Sequence, residues 1–176
     1  MHGINESLEF VPVRIAVLTV SDTRTEKDDT SGDLLASRIE EAGHELASRA
    51  IVRDDVKAIQ ETVRGWIDDA SVDVVISTGG TGLTGRDVTP EAMTPLFEKQ
   101  IDGFSAVFHK VSFESIGLST LQSRACAGVA NGTFIFCLPG SNGAVKDGWD
   151  KVLAYQLDIR HRPCNFVEIM PRLTEK

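Results

Sequence analysis

Apolar positions fall along the chain in two alternating rhythms. Unbroken runs at residues 14–21 (RIAVLTVS), 72–78 (VDVVIST) and 133–138 (TFIFCL) are rich in β-branched or aromatic residues and end in turn residues. Short runs of this kind, apolar on both faces, predict interior strands of a parallel sheet. Residues 47–52 form a weaker strand, predicted nearer an edge. Between the runs the period becomes helical. Leu35, Ile39 and Ala42 share a face after the start signal Thr30-Ser31-Gly32-Asp33, and Gly43 supplies the stop. From Asp55 onward, Val56, Ile59, Val63, Trp66, Ile67 and Ala70 form one apolar stripe. Residues 90–131 read as two or three helices broken near Gly103 and Gly117, and residues 144–159 as a last helix carrying Val145, Trp149, Val152, Leu153 and Leu157. Strands alternating with helices predict an α/β fold: a three-layer αβα arrangement around a doubly wound, mostly parallel sheet. No repeat or linker divides the chain, so residues 1–176 are expected to form one domain, with 1–12 as an N-terminal extension and 162–176 as a tail. Phe166, Val167 and Ile169 make that tail too apolar for a free end, and predict that it packs. Met93 and the phenylalanines are assigned to the core.

Charge narrows the partners. Eighteen Lys and Arg against 26 Asp and Glu leave a net charge of −8, which disfavours loose binding to nucleic acid or to an anionic membrane. An anionic ligand would need local help from a helix N-terminus, a few cationic side chains or a metal ion. The cysteines, Cys126, Cys137 and Cys164, match no zinc spacing, and His2, His44, His109 and His161 form no chelating pair. The N-terminus has no apolar signal region and no window is long enough for a membrane span, so the chain is expected in the cytoplasm with reduced thiols.

In a doubly wound sheet, ligands bind outside the carboxyl ends of the strands. There the chain places Ser21-Asp22, then Gly79-Gly80-Thr81-Gly82, then Pro139-Gly140-Ser141-Asn142-Gly143. Glycine-rich loops let backbone N–H groups approach a phosphate. Gly80–Gly85 spells GxGxxG, but Arg86-Asp87-Val88-Thr89 separates it from the following helix, predicted to start at Pro90 with Thr89 as its cap, so it is not a dinucleotide fingerprint. Walker A fails as well, because Arg86-Asp87 stands where Lys-Ser/Thr is required. What remains is a wide phosphate-cradling loop ending in an Arg-Asp pair. Asp54 and Asp55 precede a helix that needs only one cap, which leaves the other free for chemistry. Asp87 either closes a turn or serves the site. From position alone, Ser123-Arg124 reads as ordinary helix and Asp28-Asp29 as solvated loop.

The segments LTVSD, DDTSG, TGGTGLTGRDVTPEA, LQSRA and PGSNGA, in this order, resemble the molybdenum-cofactor proteins of the MoaB/Mog family, which includes the G domain of gephyrin. The resemblance spans about residues 13–157, and SFESIGLSTLQSRACAGVANGT and RHRPCNF are closer to the MoaB branch. It implies transfer of AMP from Mg-ATP to the terminal phosphate of molybdopterin, with release of pyrophosphate. Matching motif to motif, it puts Asp54 and Asp87 in the role of catalytic, Mg²⁺-holding carboxylates, and Ser123 in that of a third catalytic residue. Gly79, Gly80, Thr81, Gly82 and Arg86, with Pro139, Gly140, Ser141 and Asn142, would hold molybdopterin. Ser21, Asp22, Ser31 and Gly32 would line the nucleotide side. Mg²⁺ and ATP would be required, and no tightly bound prosthetic group. The alternative is a non-catalytic oligomer that binds a pterin or nucleotide in the same pathway; a clustering scaffold is disfavoured because no second domain is evident. The resemblance also implies self-association as a hexamer or a trimer, and a molybdenum-insertion enzyme as a partner. The tail and Phe104, Val107, Phe108 and Phe113 offer apolar surface for that assembly.

Overall fold

The three apolar runs lie side by side at the centre of a six-stranded sheet. The computed structural model describes residues 3–175. Along the chain come β1 (Gly3–Ile4), β2 (Arg14–Val20), α1 (Thr30–Glu41), β3 (Glu45–Val52), α2 (Val56–Ile67), β4 (Val74–Thr78), α3 (Thr89–Met93), β5 (Lys99–Gln100) and α4 (Asp102–Ile116). There follow β6 (Cys126–Ala130), β7 (Thr133–Leu138), α5 (Asn142–Gly148), α6 (Ala154–Gln156), β8 (His161–Arg162) and α7 (Phe166–Ile169). The sheet order is β3-β2-β4-β7-β6-β5. Neighbours from β3 to β7 are parallel, with Ala16 beside Val75 and Val75 beside Ile135, while β6 runs antiparallel to β7. As expected, the weaker strand β3 lies at an edge.

Alternation along the strands sends successive side chains to opposite faces. Ile15, Val17, Val74, Ile76, Phe134 and Phe136 point toward α1, α4 and α5, where they pack with Leu35, Ile39, Phe108 and Trp149. Ala16, Leu18, Val75 and Ile135 point the other way, toward Ile59 and Val63 of α2 and Ala92 and Met93 of α3. The tail is packed as its composition predicts: Val167 is buried, Phe166 sits against the core, and β8 pairs with β1 of the N-terminal extension.

Four local expectations are corrected. Residues 126–130 form β6, not the end of a helix, because Asn131 (φ 45°) and Gly132 (φ 81°) make a two-residue hairpin turn into β7. The last helix begins at Asn142, capped by the Ser141 hydroxyl accepting from Ala144 N, and loosens into a π turn at Trp149–Leu153. Phe104 and Phe108 are core, whereas Phe113 is 53% exposed. Asp29 is not solvated: it is fully buried, caps α1 through Gly32 N, accepts from the Thr19 hydroxyl at 2.6 Å and pairs with Arg49 at 2.7 Å. Burial pushes its carboxyl up, but Thr19, Arg49 and the Gly32 N–H together hold it below the ordinary value. All three cysteines are free thiols.

Candidate functional site

β2, β4 and β7 end at the same edge of the sheet, and their ends meet backbone to backbone. A Cβ on Gly79 (φ 109°) would lie 2.1 Å from the Val20 carbonyl, and one on Gly140 would lie 2.9 Å from the Gly79 Cα. Only glycine permits that approach, and it exposes peptide groups along the floor of a cavity of about 480 Å³. Gly79, Gly80, Thr81 and Gly82 line it from β4, and Pro139, Gly140 and Ser141 from β7. Ser21, Asp54, Asp87 and Ser123 complete this part of the wall.

The residues from Gly80 to Thr89 form a loop with a closed neck. Thr89 N donates to the Gly80 carbonyl at 2.9 Å, and the Thr89 hydroxyl donates to the Gly79 carbonyl at 2.8 Å. Thr89 is therefore the first helical residue and not the cap; Val88 holds that position, without a side-chain bond. Arg124 clamps the loop from outside, donating to the carbonyls of Gly82 at 2.8 Å and Asp87 at 2.9 Å while pairing with Glu91. Its own N–H bonds the Thr81 carbonyl at 2.9 Å. Ser123-Arg124 is thus extended chain after a 3₁₀ turn, not helix.

The aspartate doublet divides its labour. Asp55 caps α2 by accepting from Ala58 N at 2.9 Å, and Asp54 is left at the cavity wall. Partial burial, reinforced by the neighbouring carboxylates Asp22 and Asp87, raises Asp54 above the ordinary carboxyl value. Asp87 is shifted the opposite way: the Thr84 hydroxyl at 2.6 Å and the Thr84 N–H at 2.9 Å favour its ionised form. The two carboxylates thus share one cavity with unequal proton affinities, set by burial at Asp54 and by Thr84 at Asp87.

Other residues singled out by sequence lie behind the wall. Arg86 grips Asp22 through two 2.8 Å contacts and donates to the Asp54 carbonyl at 3.1 Å; neither Arg86 nor Asp22 lines the cavity. Ser31 and Gly32 are buried in the first turn of α1, where a Cβ on Gly32 would strike the Asp29 carboxylate. Asn142 also lies outside the lining, at the start of α5. Arg24, which the sequence reading passed over, is the one cationic side chain lining the cavity among the described residues. It donates to the Gly140 carbonyl at 2.8 Å and bonds the Ser31 hydroxyl beside Asp29. Thr120 and Asp147 were passed over too, since no motif marks them.

A doubly wound sheet whose central strand ends close up through glycines, with carboxylates on the wall of one cavity beyond those ends, has the architecture of an α/β ligand-binding domain. The chain belongs to the family described as the probable molybdopterin binding domain, whose model matches residues 16–159. It is 54% identical over 160 residues to molybdenum cofactor biosynthesis protein B of Escherichia coli K12, covering 91% of this chain and 94% of that protein. A crystal structure of molybdenum cofactor biosynthesis protein B superposes with a TM-score of 0.81 at 44% identity, covering 84% of this chain and 92% of that one. The tungsten cofactor synthesizing protein MoaB from Pyrococcus furiosus superposes at 0.69 with 36% identity, covering 80% and 90%.

Proposed function

We propose that the protein acts in molybdenum cofactor biosynthesis by binding molybdopterin and transferring AMP to its terminal phosphate from Mg-ATP. One observation carries this reading: Asp54 and Asp87 line the same cavity as the Gly79–Gly82 cradle, so carboxylates and phosphate-binding backbone share one space. A terminal phosphate oxygen of molybdopterin attacks the α-phosphorus of ATP, a new P–O–P bond forms, and pyrophosphate leaves with the electrons of the broken bond. A phosphate monoester with a second pKa of about 6 is already largely ionised at neutral pH, so no general base is needed, and none of the described residues lining the cavity is a histidine. The backbone of Gly80–Gly82 and the Ser123 hydroxyl orient the acceptor, Ser21 and Arg24 face the nucleotide side, and Arg24 offsets phosphate charge.

Asp54 and Asp87 would hold Mg²⁺. The raised proton affinity of Asp54 fits a site completed by a cation. No cluster of three or more acidic, histidine or cysteine side chains suited to a metal occurs among the described residues. Mg²⁺ takes one or two carboxylates and fills its shell with water and substrate phosphates, so two carboxylates would suffice to hold it. When bound, the ion neutralises charge on the phosphates. A second reading, a non-catalytic pterin- or nucleotide-binding oligomer, draws support from the engagement of the Asp87 carboxylate by Thr84. Pyrophosphate release from ATP, measured with Mg²⁺ and molybdopterin, separates the two: release dependent on molybdopterin supports the transferase, and molybdopterin binding without release supports the binder.

A further inference from the structure

Cys126, at the start of β6, and Cys137, near the end of β7, are register partners directly opposite each other in the antiparallel hairpin, and neither lines the ligand cavity. Directly opposed residues of such a pair stand about 4.5 or 5.5 Å apart at Cα, and both separations fall within the roughly 4.4–6.8 Å that a disulfide spans. Both side chains belong to the α2–α3 face of the sheet. Cys137 is fully buried there, and Cys126 packs against the same cluster but is partly exposed. The two thiols act on each other. Hydrogen bonding from Cys137, opposed by burial and aided by Arg124, holds the Cys126 thiol below its ordinary value. The same interaction, together with burial, pushes the Cys137 thiol well above it. One sulfur is thus the readier nucleophile and reachable from outside, while its neighbour keeps its proton and is shielded.

We propose that Cys126 and Cys137 form an oxidisable dithiol, a modification site for hydrogen peroxide, whose disulfide ties the chain carrying Arg124 to β7. The Cys126 thiolate attacks one peroxide oxygen, the O–O bond breaks, and hydroxide leaves to take up the proton that Cys126 gave up. Cys126 is then a sulfenic acid. The Cys137 sulfur attacks the Cys126 sulfur, the S–O bond breaks, and water leaves with the Cys137 proton. Two thiols and one peroxide give one disulfide and two waters, with the thiols oxidised and the peroxide reduced by two electrons. A small oxidant suits a sulfur that is only partly exposed. The bond also has a place in the architecture. Arg124, two residues before Cys126, holds the Gly82 and Asp87 carbonyls, and β7 runs on through Leu138 to the Pro139–Gly140 edge. The disulfide therefore joins the clamp of one cavity wall to the strand that ends in the other. In a reducing compartment such a bond is transient, and thiols reverse it.

The test treats the folded wild-type protein with a small excess of hydrogen peroxide, then denatures it and blocks the remaining thiols with iodoacetamide. Trypsin releases both cysteines in one peptide, residues 125–146. That peptide should be lighter by two hydrogens and unlabelled, Cys164 should be labelled, and dithiothreitol before blocking should restore label to both sulfurs. Sulfinic acid at Cys126 with Cys137 labelled, a link from either to Cys164, or full labelling of the peptide after peroxide overturns the inference. In Cys126→Ser, Cys137 should stay reduced; its oxidation as fast as in the parent would show that Cys126 is not the attacking thiol and overturn the proposed step. Hydrogen exchange of the wild-type protein reads the tie to the clamp. The Arg124 amide, bonded to the Thr81 carbonyl, should exchange at least about threefold more slowly in the oxidised protein, and an unchanged rate would refute that tie. None of these readouts uses molybdopterin or ATP, so their failure is distinct from failure of the functional reading above.

Discussion

Asp54→Asn and Asp87→Asn should move stability in opposite directions while moving activity in the same one. Asp54 is partly buried near Asp22 and Asp87, and its carboxyl prefers to stay protonated. A folded-state pKa above the unfolded value means that the ionised group opposes folding at neutral pH. The amide removes that cost, so Asp54→Asn should unfold at higher urea than the parent at pH 7. The advantage should shrink as pH falls through the raised pKa, and vanish below the ordinary aspartate value, where both states are protonated. Asp87 stabilises its loop by accepting from the Thr84 N–H at 2.9 Å and hydroxyl at 2.6 Å. An amide keeps the shape but loses the charge in those bonds, so Asp87→Asn should cost about 1 kcal/mol. In the adenylylation assay both variants should fall at least about a hundredfold, roughly 2.7 kcal/mol of transition-state stabilisation, with molybdopterin still bound. If both carboxylates act on one ion, as proposed, the double variant should be little worse than either. If Asp54→Asn proves less stable at pH 7, the electrostatic account of that residue is wrong; if either variant keeps full activity, that carboxylate does not hold the metal.

Gly80→Val places a Cβ 2.3 Å from the Thr89 hydroxyl at a φ of 65°, so molybdopterin affinity should drop sharply with the far-ultraviolet circular dichroism retained; unchanged affinity would put the anion at the Pro139–Asn142 loop instead. Asp29→Asn leaves Arg49 and Arg24 without their buried counter-charge and should cost about 3 kcal/mol by urea unfolding, with a loss under 1 kcal/mol counting against the network. Because the Asp29 pKa is lowered in the folded state, its contribution should be present at neutral pH and fade as pH falls through that lowered value. Phe113, Ile116, Leu118 and Leu121 are each more than half exposed around the end of α4, and light scattering should find a hexamer; a stable monomer at micromolar concentration would refute the assembly.

The central strands were legible because they are apolar on both faces, a pattern few other elements share. β6 was missed because its residues, CAGVA, are small and carry no period, so only the Asn131-Gly132 turn marks the reversal. The glycine edge, Asp54 and Asp87 were legible through their place after strands and before helices. Asp29 and Arg24 were not, since each is held by residues far along the chain: Asp29 by Arg49 and Arg24 by Gly140. A side chain partnered only through tertiary contact leaves no local signature. Ser31 and Gly32 illustrate the reverse, a prominent motif that serves the packing of a helix start.

The closed neck of the Gly80–Thr89 loop bears on timescale. Its ends are tied to each other, and Arg124 ties its middle to the chain before β6. Most loops of this length sample many conformers until a ligand selects one; here the ordering entropy is already spent in folding. Recognition should therefore proceed by docking into a formed mould, with rates set by encounter and not by loop closure. The amide protons of Thr89 and Arg124, each bonded across the neck or the clamp, should exchange with deuterium slowly even in the ligand-free protein, and ligand should add little further protection there.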